Sequence, residues 1–127
     1  MATANRTFRF GPLAVANAAG NLLNGTVTSL AGTVNITLTQ PVIYLKHIRA
    51  VNKTGAAATV SLYVGATGGS AAGTEVAFNA KNVPANDSVD VYFGGAGLRL
   101  DSADFLTGLA SAAATITIEG EGEVGFS

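Results

Sequence analysis

The sequence predicts an all-β protein: an antiparallel β-sandwich, jelly-roll-like or immunoglobulin-like, with an extended N-terminal arm. Three observations lead there. Apolar residues recur at every second position in several short runs, with threonine and other polar residues between them, the pattern of strands with one buried face. Turn signals rich in Gly, Asn, Asp and Pro separate the runs, and no segment requires a helix longer than a turn or two. Roughly eight or nine strands of ordinary length are the profile of a sandwich or barrel.

From the N-terminus, TFRF is a short strand with Phe8 and Phe10 on one face. GPLAVANAAGNLLNG is small, alanine-rich and poorly periodic, and its asparagines and glycines break a helix. Residues 1–25 are therefore read as an arm or long loop, with two helical turns around Leu13–Ala19 as the other option; residues 26–127 form the sandwich domain. TVNITLT turns Val34, Ile36 and Leu38 one way and its threonines the other. Val42–Val51 is a long strand, and Asn52-Lys53-Thr54-Gly55 turns the chain into the strand Ala57–Val64, with Val60, Leu62 and Val64 inward.

The long strand does not alternate cleanly. Simple alternation puts Ile48 and Ala50 with Lys46, and Leu45 with His47 and Arg49. A bulge, or an outer face covered by the arm or a neighbouring subunit, accounts for the mixture. After the turns GATGGS and NVPAND, SVDVYF sets Val89, Val91 and Phe93 against Ser88, Asp90 and Tyr92. GLRL follows GGAG and offers Leu98 and Leu100. Beyond LDSAD, TITI offers Ile116 and Ile118. Pro12, Pro41 and Pro84 begin apolar runs, where a missing N–H does least harm.

A chain of 127 residues is long enough for one self-supporting core. Charged residues make up 12% and hydrophobic ones 48%, with a mean hydropathy of +0.38. So little charge suggests surface buried against neighbours, hence a homo-oligomer. A net charge of −1 draws the chain to neither nucleic acid nor an anionic membrane. There is no cysteine, so no thiolate site or disulfide forms. MATANRTFRFGPLAVANAAG lacks the charged and apolar regions of a signal peptide, and no apolar run approaches the ~20 residues that span a bilayer. The sequons at Asn5, Asn24, Asn35, Asn52 and Asn86 are by-products of a Thr- and Asn-rich composition.

His47 is the single histidine, beside Lys46 and Arg49. A general base needs a nucleophile and an orienting group, and a metal needs further ligands. The carboxylates lie far away in sequence and nothing in it pairs them with this strand. His47 is accordingly read as part of a covered or interfacial strand face, with no catalytic, metal or cofactor residue assigned. The glycines of GATGGS and GGAG lack the lysine and helix of a phosphate-binding loop, and no nucleophile elbow is present. Asp101 and Asp104 are too few for calcium, which takes about six to eight oxygens, and fit a turn instead. Glu119, Glu121 and Glu123 share one side of a strand, either as an acidic ridge for a partner or as a charged edge that deters aggregation.

From Pro41 onward, about two thirds of the chain, further motifs recur. They are a strand ending I-x-x-x-N-K-T-G, a small-residue turn, a strand T-V-S-L, a V-P-A-N turn, then L-x-L-x-x-x-D-x-L and a last strand leading to G-x-E. In these it resembles small all-β structural proteins of tailed-bacteriophage virions, with Ala103 before Asp104 where those proteins carry glycine. Modules of this kind serve as head decoration (cement) proteins, head fibres and tail-associated pieces. The resemblance implies a capsid decoration protein that binds the head exterior and bridges subunits of the major capsid protein. It would be an oligomer, trimeric if it sits on a local capsid axis, located on the virion and made in the host cytoplasm, without enzymatic activity or cofactor. A tail- or fibre-associated module binding host glycans is the alternative. Arg6 and Arg9 at one end, and Glu119, Glu121 and Glu123 at the other, are expected to meet between subunits. Phe8, Phe10, Leu13, Val15, Leu22 and Leu23 are expected to make subunit or capsid contacts.

Overall fold

The computed structural model describes residues 6–24, 28–29, 41–65, 74–101 and 103–126. Ten strands lie among them: β1 (Arg6–Ala14), β2 (Gly20–Asn24), β3 (Thr28–Ser29), β4 (Pro41–Asn52), β5 (Ala58–Gly65), β6 (Lys81–Val83), β7 (Ser88–Tyr92), β8 (Leu98–Leu100), β9 (Phe105–Ala110) and β10 (Ile116–Phe126). One sheet runs β1-β10-β4-β7, with β8 also paired to β4; the other runs β3-β2-β9-β5-β6. Every strand pair is antiparallel. The two sheets pack face to face as a β-sandwich, as the alternation predicted. The TVNITLT strand and most of GATGGS lie outside the described residues.

Val60, Leu62, Ile116 and Ile118 point into the core as their alternation predicted, and the long strand and β9 add residues whose direction the sequence left open. Ile43, Leu45, Ile48, Ile116 and Ile118 come from the first sheet, and Val60, Leu62 and Leu106 from the second, all fully buried. Burying one such side chain contributes ~1.5–3 kcal/mol.

The N-terminal segment departs from expectation. Residues 6–24 are not an arm: β1 pairs with β10 from Arg6↔Val124 to Ala14↔Thr117, and β2 pairs with β9. Phe8, Phe10, Leu13, Val15, Leu22 and Leu23 are buried in the chain's own core and are therefore withdrawn from contact with another molecule. The helical turns over Leu13–Ala19 do not form, because Leu13 and Ala14 finish β1 and the chain then bends. Poor periodicity in this stretch has a local cause: the β1 register shifts between Phe10 and Leu13, so residues on either side of the bulge keep different phases.

The NKTG turn is organised by Asn52, which is fully buried. Its amide nitrogen donates to the carbonyls of Ala56 (2.8 Å) and Val83 (3.1 Å). Its oxygen accepts from the backbone N–H and the hydroxyl of Thr54. One side chain thus closes an Asx turn and joins it to β6.

Candidate functional site

The irregular alternation of β4 is a bulge. Glu121 pairs with His47 and Gly122 with Leu45, so Lys46 is the extra residue. At the same point β4 changes partner on its other side, from β8 (Ile43–Leu45) to β7 (His47–Val51). The excursion between those strands is tied down by Phe93 N–H to Lys46 O at 2.9 Å and Lys46 Nζ to Gly95 O at 3.3 Å. It closes at Gly97, whose φ of +106° puts the chain within 2.6 Å of Leu45 O at the position a Cβ would take; only glycine fits there. The extra residue restores Ile48 and Ala50 to the core and sends His47 and Arg49 to the outer face, in phase with Tyr44 and Val51.

Charged groups then line up across the sheet. Arg9, Glu121, His47 and Tyr92 form one row over β1, β10, β4 and β7, and Glu119, Arg49 and Asp90 form the next. The signs alternate along each row and repeat from one row to the next, with Glu119 beside Glu121 and Arg49 beside His47. The carboxylates that sequence reasoning left unpaired with this strand are its direct neighbours, because β7 and β10 flank β4.

At the centre, His47 Nε2 lies 2.7 Å from Asp90 Oδ1 and Nδ1 lies 3.2 Å from Glu121 Oε1. Ionised carboxylates only accept hydrogen bonds, so a carboxylate at each ring nitrogen favours the doubly protonated imidazolium form of His47. Burial by itself would lower its pKa, but the bonds to Asp90 and Glu121 outweigh that and raise it above the ordinary value. Arg49 Nε donates to the same Asp90 oxygen at 2.7 Å. Donation by His47 and then by Arg49 holds the Asp90 carboxyl below the usual range. Burial, followed by repulsion from Glu121, pushes Glu119 up. Tyr92, 73% exposed, stacks on the imidazole with ring centroids 4.5 Å apart. An open hollow of about 700 Å³ lies over this face, lined by Arg9, Arg49, Thr117 and Glu119 as well as His47, Glu121 and Tyr92.

Of the expected contact residues, Arg9, Glu119, Glu121 and Glu123 are on this outer face; Arg6 pairs through its backbone with Val124. The two ends meet within one chain, where β1 pairs with β10, and β10 is an interior strand, so its glutamates do not guard an edge. Asp101 and Asp104 make the expected turn: Asp104 Oδ2 accepts from Asp101 N–H at 2.9 Å, and Asp101 pairs with Arg99. Sequence reasoning missed Arg49, Asp90 and Tyr92 as site residues. Their polar alternation was visible; that β7 and β10 both border β4 was not. No protein-family model matches the chain, and no curated protein matches its sequence.

Proposed function

We propose that the chain is a structural protein of a tailed-bacteriophage virion, decorating the head exterior and bridging subunits of the major capsid protein. The observation that carries this reading is the outer face of the first sheet, where charge alternates along two neighbouring rows, one of which ends at the exposed ring of Tyr92. Such a face steers and registers a protein partner by electrostatic complementarity, with Tyr and Arg as anchors. The turn-and-strand likeness to virion proteins supports the choice of partner.

In this role the protein works by mass action as a symmetric oligomer on the shell. A ligand that binds only the assembled state stabilises it by about 2.7 kcal/mol per site at a hundredfold excess over Kd. Shells of the parent phage prepared without the protein test this directly. Added chain is expected to cosediment saturably and raise the shell's melting temperature; no binding refutes the proposal.

Tyr92 also favours a second reading, a tail- or fibre-associated module that stacks a host sugar on its free face beside the hollow's polar groups. Glycan-array binding together with failure to bind shells selects that reading.

A further inference from the structure

Glu119 and Glu121 leave β10 on one side of the sheet, and His47 stands directly opposite Glu121 on β4. One donor atom from each of the three side chains lies within 4.8 Å of the other two. Asp90, outside this trio, takes Nε2 at 2.7 Å; this fixes the ring and aims Nδ1 at Glu121. A metal-binding histidine is built this way, one nitrogen held by an outer carboxylate and the other turned to the ion. The donors stand on two hydrogen-bonded strands, which set their spacing more firmly than loops do. All three line the hollow, which gives an ion a path from solvent.

We propose that His47, Glu119 and Glu121 bind a divalent transition metal of the zinc type. An imidazole with two carboxylates suits Zn²⁺, Co²⁺ or Ni²⁺ and provides too few oxygens for Ca²⁺. Bonds of about 2.0–2.2 Å require the donors to close up by roughly 1 Å, a movement open to the exposed Glu121 side chain. One metal ion enters and the Nδ1 proton leaves to solvent, while the Nε2–H bond to Asp90 stays. Arg9 and Arg49 border the hollow, so the ion takes over the charge that the imidazolium supplied among three carboxylates. Three protein ligands leave a fourth position facing the hollow. This inference does not rest on the virion reading.

Calorimetric titration of the untagged, chelator-treated full chain with ZnCl₂ tests it, with Co²⁺ absorption and the His47 ring NMR signals as direct reporters. One Zn²⁺ per chain is expected, with visible Co²⁺ bands and displaced His47 signals. His47→Gln and Glu119→Gln should lose binding, Asp90→Asn should weaken it by about 10–100-fold, and Glu75→Gln on the other sheet should leave it unchanged. Absence of saturable Zn²⁺ and Co²⁺ uptake by the wild type overturns the proposal, whether or not the variants fold. So does uptake that leaves the His47 signals in place.

Discussion

At residue scale, two polar side chains hold strands that the core alone does not register. Asn52 satisfies two carbonyls and the Thr54 N–H in a fully buried position. Asn52→Ala leaves those groups without partners and is expected to cost about 3 kcal/mol in urea unfolding; a loss below about 1 kcal/mol would mean that the turn closes without it. The His47 bonds carry a pH signature. The folded pKa of His47 lies above 6.5, so its contribution is complete below that pH and is lost as pH rises through the raised value. That of Asp90 lies below 3.8, so its contribution is present above that pH and is lost as pH falls through the lowered value. With chelator present, the stability gap between wild type and His47→Gln is therefore greatest between pH 3.8 and 6.5 and shrinks on either side. Its size there is about 1 kcal/mol. A gap that widens on the alkaline side contradicts the charged assignment.

At the scale of elements, β10 shows why glycine alternates with glutamate. Gly120 faces inward opposite Phe10, and the Phe10 ring occupies the space a Cβ would need. Gly120→Ala is expected to destabilise by about 1–3 kcal/mol, measured by denaturant titration, and Phe10→Leu should recover part of that loss in the double variant. EGEGEV could be read for the direction of its glutamates, since period two is local, but not for what fills the space at its glycines, the Phe10 ring at Gly120 and the β4 backbone at Gly122, which comes from residues far away in sequence. The same limit applied to β4. Its broken alternation announced a bulge, while the partners that bulge gives His47 depend on β7 and β10 docking on either side. In β1 the apolar residues were visible, but a mid-strand register shift disguised them as an arm, and their burial moved the expected contact surface elsewhere.

At the scale of the molecule, both ends of the described chain are consumed by the fold. β1 closes one edge of the first sheet against β10, and the buried phenylalanines link the two layers. In the proposed role the outer face around His47 is the docking face, because it combines charged side chains with an exposed aromatic ring. Cosedimentation of face variants with shells of the parent phage tests this most directly. Arg49→Glu and Tyr92→Ala should each weaken shell binding by at least about tenfold, while Lys81→Glu, on the edge of the opposite sheet, should leave it unchanged. Equal binding by all three variants and the wild type, or loss confined to Lys81→Glu, would contradict the docking face.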